Sequence, residues 1–473
     1  MEIMEKDEAP SMKYAGRRLV DRYLITEPVF YKNAMAIIVP VVIQNLINQG
    51  VNMMDTVMVG RLGEVAISAS SLANQFYTIF TFLCMGISAA GLVLASQYWG
   101  AGDKATVRRV YDLCMQLVLL IGTLFAVPCA VIPEKIMRLY IDDAEVIFEG
   151  ARYLRVTALV FLPHGLSLVM SQIVRSTGNA RLGLYISCLS FVVNIAANYV
   201  FIFGKLGFPA MGVMGAALGT LCARLVEFAV CVFYMLRIED KLHYRLGGIV
   251  KLPKLKLLDE FRRLGMPAII SDTILGLCAS VISMILGRMG REIVSAYSIV
   301  NVMDRMCSIA TMSVASASSV MIGHSVGFGD FEKAQKQGYS FTLMSMVFGL
   351  FAAMLVLLLG TPAVDLFKIE SSTKGIAIIM MRSSAIVVFF QAIQSALSKG
   401  ILRGGGDTKF LMIADIAFQI LASIPLGYLV GVVWQWPVFW VLIALRIDYI
   451  IKSVWLIGRL RSGKWIHKAK SMA

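Results

Sequence analysis

Asn45, Asn48, Asn52 and Asp55 recur every three or four residues in an otherwise apolar stretch. That spacing puts them on one face of a helix. A carboxylate near the centre of a bilayer costs about 2.5–3.5 kcal/mol on insertion scales. A face this polar must therefore look into a helix bundle or a wet cavity. Ser187, Ser190, Asn194 and Asn198 form a second polar face, and Thr220, Arg224 and Glu227 form a third. An aspartate among oxygen donors can hold a small hard cation or a proton. Asp55, Asn194, Asn198 and Thr220 offer the several oxygens that Na⁺ wants; a proton needs only a buried carboxylate. Interhelical hydrogen bonding is the competing role for the asparagines, but a carboxylate exceeds what such joining needs. Arg224 and Glu227 are spaced to pair with each other as a structural ion pair.

The elements that position these groups follow from composition. Of 473 residues, 58% are hydrophobic and 16% charged, with a mean hydropathy of +0.75. A soluble chain carries about 25% charged residues. The composition excludes disorder, a coiled coil, a disulfide scaffold and a soluble multidomain enzyme. About 20 apolar residues span a bilayer as a helix, and backbone groups in lipid must be satisfied within the segment. The apolar stretches at 33–59, 66–98, 110–132, 150–173, 182–203 and 211–236 predict six helices; those at 265–287, 293–322, 339–361, 376–400, 409–431 and 436–458 predict six more. The fold class expected is an all-α polytopic membrane protein with twelve transmembrane helices in two pseudo-symmetric six-helix bundles. Its parts are an N-terminal segment 1–32, an N-lobe 33–236, a basic linker 237–263, a C-lobe 264–458 and a tail 459–473. With both termini cytoplasmic, about 30 Lys and Arg lie inside against about 11 outside. The formal charge of +14 is thus explained by cytoplasmic loops, and nucleic acid is not an expected partner.

The halves repeat. A shift of 227 takes Pro40 to Pro267, Gly63 to Gly290, Asn74 to Asn301 and Gly100, Gly102 and Asp103 to Gly327, Gly329 and Asp330; a shift of 228 takes Arg175 and Gly178 to Arg403 and Gly406. Six helices per half make the repeat parallel, and secondary transporters bind substrate between such halves. The second half departs at the acid: Ile282 stands where the first half has Asp55. Its own acids within the apolar segments are Asp272, Asp304 and Asp415. Asp272, one turn after Pro267, is expected to face the cavity. Asp304 beside Arg305, and Arg446 with Asp448, are expected to be structural. The run 403–407 and its counterpart 175–181 read as tight turns rather than phosphate cradles. No GxxxxGK[ST] or HExxH occurs, and no catalytic set or resident metal is expected.

These stretches resemble the multidrug and toxic compound extrusion (MATE) family. The resemblance rests on Pro40 through Gly63, on GISAAGLVLASQYWGAGD ending at Asp103, on RSTGNARLGLYISCLSFVVNIAANYVFIFG, on GVMGAALGT, and on ILRGGGDTK at 401–409. It covers roughly 30–455. It implies a non-enzymatic twelve-helix antiporter, V-shaped around a central cleft, exporting cationic or amphipathic organic compounds against H⁺ or Na⁺ entry without a cofactor. Asp55 falls at the family's first-helix coupling carboxylate. Asn194 and Thr220 match first-lobe cation-site positions, and Asn48 a cavity position. Asn198 stands where some members have Asp, and Gln391 where members with a second-lobe site have a carboxylate. The expected substrate cavity comprises Asn48, Asn52, Asp272 and Gln391, and the expected coupling set is Asp55, Asn194, Asn198 and Thr220, with transient Na⁺ at Asp55. The expected setting is a bacterial inner membrane, with the chain working as a monomer in the lipid bilayer. The alternatives are a flippase for lipid-linked oligosaccharide or polysaccharide and, less apt, a polytopic membrane enzyme.

Overall fold

The computed structural model describes residues 23–237, 242, 244, 248, 253–365 and 370–470. Among them every regular element is helical. The first half comprises α1 (Pro28–Gly60), α2 (Glu64–Gly100), α3 (Lys104–Val131), α4 (Pro133–Arg138), α5 (Ala144–Thr157), α6 (Phe161–Ser176), α7 (Arg181–Phe203) and α8 (Gly212–Arg237). The second comprises α9 (Leu255–Met289), α10 (Arg291–Phe328), α11 (Phe331–Asp365), α12 (Ser371–Ser395), α13 (Thr408–Phe418), α14 (Ile424–Tyr428), α15 (Val438–Leu445) and α16 (Ile447–Arg461). Among the described residues ten helical segments are long and apolar enough to cross a membrane, and α5 with α6, bent by 50° at their junction, pass the same test when taken together. The twelfth expected span is divided at Arg446 into α15 and α16. There the Arg446 guanidinium donates to the Tyr297 hydroxyl at 2.8 Å and to the Tyr449 hydroxyl at 3.2 Å. Twelve of the 27 residues expected as a linker lie outside the described residues, and α9 reaches back into it as far as Leu255.

The repeat has a geometric cause. Gly63 and Gly290 precede α2 and α10 with φ of +103° and +125°, a region that costs a side-chain-bearing residue roughly 1–2 kcal/mol. Asp103 caps α3 by accepting from the Thr106 amide at 2.9 Å, and its counterpart Asp330 caps α11 by accepting from the Lys333 amide at 3.0 Å. Three π-helical turns, at Ala396–Leu402, Gln419–Ser423 and Leu429–Val433, interrupt the second half's α12–α14 region; nothing in the apolar pattern marks them.

The halves meet tightly on the face that holds both described ends. A Cβ on Gly100 would lie 2.1 Å from the His324 carbonyl oxygen, and one on Gly327 would lie 1.8 Å from the Gln97 carbonyl oxygen. Both contacts relate to each other by the 227-residue shift, so α2 and α10 cross there with backbones touching. Each half also lends helix to the other. Phe30, Ala34, Ile37, Ile38 and Val41 of α1 pack in a cluster with Phe341, Ile393 and Leu397. Leu257, Phe261 and Leu264 of α9 join the first half's own core. The tail seals this face: Trp465, fully buried, donates to the Gln335 side chain at 2.8 Å, and Tyr98 donates to the Lys470 carbonyl at 3.0 Å.

Candidate functional site: a polar cavity in the first half

A cavity of about 840 Å³ runs through the first half, lined by α1, α2, α5, α6, α7 and α8, with Arg305 of α10 at its edge. The polar faces read from the sequence converge on it. Asn45, Asn48, Asn52 and Asp55 line it from α1, Ser187, Ser190 and Asn194 from α7, and Thr220, Arg224 and Glu227 from α8.

Asp55 and the two α7 asparagines form a connected group. The Asn198 amide nitrogen donates to Asp55 Oδ1 at 2.5 Å and to Asn194 Oδ1 at 3.2 Å. Asn198 is fully buried and reaches this position because residue 219 is glycine; a Cβ there would lie 2.0 Å from Asn198 Oδ1. Thr220 donates to the Ala216 carbonyl at 3.1 Å, which keeps its hydroxyl lone pairs available toward the cavity. Arg224 donates to Glu227 at 2.7 Å, the i,i+3 pair that the spacing predicts. His164 is buried with its ring centroid 5.5 Å from that of Tyr77.

Asp272 and Gln391 are not brought to this cavity. Asp272 accepts two hydrogen bonds from Arg403, at 3.0 and 3.1 Å, and Gln391 accepts from Ser308 at 3.4 Å. Both lie in the second half. Asp304 accepts from the Ser384 hydroxyl. Asp415 and Asp448 flank Lys452 at 3.2 and 2.9 Å. The 403–407 run is a turn: Asp407 accepts from Arg459 at 2.7 Å, and Gly406 has φ of +89°.

The sequence alone shows Arg175 only as the start of a turn. The structure places it on the cavity wall, only 7% exposed. It donates through Nη2 to Gln44 Oε1 at 2.7 Å and through Nη1 to Ser316 at 3.2 Å, while its Nε is buried without a partner. Gln44 lies eleven residues before Asp55, about 16 Å along α1 at 1.5 Å per residue. The cavity therefore has a carboxylate toward one end and a guanidinium toward the other. Comparing the halves holds the signal that could have found Arg175: its counterpart Arg403 has an acid to pair with, and it has none.

Comparison with known proteins agrees with this architecture. The MatE family model matches residues 40–200 and again 267–429, the second match beginning where the 227-residue shift places the first. A probable multidrug resistance protein NorM of Rhizobium meliloti is 27% identical over 418 residues, covering 87% of this chain and 88% of that one. A probable NorM of Thermotoga maritima is 24% identical, covering 97% and 98%. A solved outward-facing conformation of a multidrug resistance MATE family transporter of the MOP superfamily superposes with a TM-score of 0.83 at 19% identity, covering 92% of this chain and 96% of that one. Two matched repeats, a helical membrane fold and a polar intramembrane cavity have one common explanation: the chain belongs to the MatE family, the multidrug and toxic compound extrusion transporters.

Proposed function

We propose that this chain is a cation-coupled antiporter that exports amphipathic organic compounds by alternating access, with Asp55 as the coupling carboxylate. The observation that carries the reading is Asp55 itself, a carboxylate on the cavity wall held by the Asn198 amide at 2.5 Å. That N–H donor occupies one carboxylate oxygen and leaves the second to receive a cation. A proton needs only that free carboxylate oxygen, whereas Na⁺ needs several oxygen ligands around it. Neutralising Asp55 removes the charge that α1 must keep solvated and frees that helix to move relative to α7. Compound then leaves on the open face, and rebinding from the other face favours release of the cation. The closed crossing of α2 and α10 on the tail's face supports an outward-facing resting state, with both termini cytoplasmic by the lysine and arginine asymmetry. A bacterial inner membrane is the setting, and one chain forms the whole carrier.

The energetics suffice. One charge crossing 100 mV yields about 2.3 kcal/mol, so ~150 mV yields about 3.5 kcal/mol. At about 1.4 kcal/mol per tenfold, one ion sustains a gradient of roughly a few hundredfold for an uncharged compound.

The test is dye efflux from pump-deficient cells or everted vesicles, with Na⁺ and ΔpH varied separately. Wild type should export dye, and correctly inserted Asp55→Asn should lose coupled export. Full export by Asp55→Asn would sink the role of Asp55. Absence of any flux with correct insertion would sink drug export and bring the flippase reading forward.

A further inference from the structure

We infer that Arg175 is the receptor for a carboxylate on the exported compound, so that the cargo is an amphipathic acid or zwitterion rather than a simple organic cation. The inference rests on the transport reading above and names the chemistry of its cargo.

The charge of the cavity wall points this way. Its charged lining residues are Asp55, Glu227, Arg175, Arg224 and Arg305. Arg224 and Glu227 neutralise each other at 2.7 Å. Asp55 is held by Asn198, and Gln44, the α1 partner of Arg175, lies about 16 Å from it along the helix. With Asp55 ionised, the state that takes up compound, the three arginines of the lining still outnumber its two acids by one. An organic cation would enter against that net charge, whereas an acid or zwitterion would be drawn to it.

Arg175 is the focus of that charge. Both of its partners, Gln44 and Ser316, are neutral; its Nε is buried without a partner, as is that of Arg403, so what separates the two is the counter-charge. A buried cation without a counter-charge is unfavourable by several kcal/mol, unless something enters to compensate it. The second half shows what the compensation looks like. Arg403 binds Asp272 through two parallel hydrogen bonds, and under the 227-residue shift the counterpart of Asp272 is Asn45, next to Gln44. The first half keeps the guanidinium and lacks the acid. A planar carboxylate matches the guanidinium fork. Ser171 adds a hydroxyl donor: it lines the cavity, its Oγ is buried without a partner, and it packs with Gln44 against Gly183. Leu168, Phe82 and Met85 supply apolar wall for the body of the compound.

The probes are rhodamine B, which carries a free carboxylate, and its ethyl ester, which is a cation of nearly the same shape. Binding to the purified full chain is read by fluorescence polarisation. The acid should bind about tenfold or more tighter than the ester, the scale of one charge-assisted hydrogen-bonded pair. Arg175→Gln should erase the preference. Gln44→Glu supplies the acid that the second half already has; it should also erase the preference, weakening the acid and tightening the ester, while leaving the arginine paired and the fold intact. Equal or tighter binding of the ester, binding of neither dye, or an acid affinity untouched by Gln44→Glu overturns the inference. Ester flux that still depends on Asp55 would show that the antiporter reading survives that failure.

Discussion

Arg403 in the second half and Arg175 in the first occupy matching turns, yet their surroundings differ. Arg403 donates twice to Asp272, whereas Arg175 donates to Gln44 and Ser316. The contrast extends across the halves. In the second, Lys452 is 1% exposed and sits between Asp415 and Asp448. Ser271 donates to Asp415 at 2.6 Å and Ser423 to Asp448 at 2.8 Å. Charges there are closed by other charges and by hydroxyls, and they join helices. In the first half, polar groups of the same kind open onto a cavity. A buried charge with its partner built in is architecture, and one without a partner is a place for something mobile.

That contrast can be broken in three steps of decreasing size. Lys452→Met leaves two buried carboxylates uncompensated. It should destabilise the folded state by about 3–5 kcal/mol, read as a lowered Tm in detergent; an unchanged Tm would mean that the acids do not depend on the lysine. Asp272→Asn gives Arg403 the amide environment of Arg175. A cost of about 1–3 kcal/mol is expected, with efflux per folded molecule little changed, because Asp272 lies away from the cavity; strong loss of efflux at wild-type abundance would draw the second half into the transport site. Gly63→Ala and Gly290→Ala probe a feature the halves share. Both have positive φ and nothing within 4 Å of an added Cβ, so each should cost about 1–2 kcal/mol. Unequal costs would show that the turns are not equivalent.

The spans and the repeat were legible because hydropathy and glycine placement act locally. Gly63 and Gly290 recur because the same backbone geometry recurs. The polar faces of α1, α7 and α8 converge on one cavity because helical spacing fixes which side chains share a side. Two features rest on long-range pairing, which local spacing does not carry. Asp272 was expected in the cavity, but Arg403, 131 residues away, takes it up. Arg175 does begin a turn, with Gly178 at φ +86°, and its place on the cavity wall follows from how α6 packs near α1. The bend between α5 and α6 and the break at Arg446 likewise leave no periodic trace.

The exchange of helix segments between the halves has a consequence for biogenesis. The first half's core contains Leu257, Phe261 and Leu264, which are synthesised after its six spans. The second half's cluster contains Phe30 through Val41, which are synthesised before any of its own. Domains emerging from the ribosome generally fold as units from the N-terminal side. Here the first bundle stays incomplete until the chain has passed residue 264 and the tail has delivered Ala469, and the second waits on a helix already in the membrane. The two halves are repeats in sequence but a single unit in assembly.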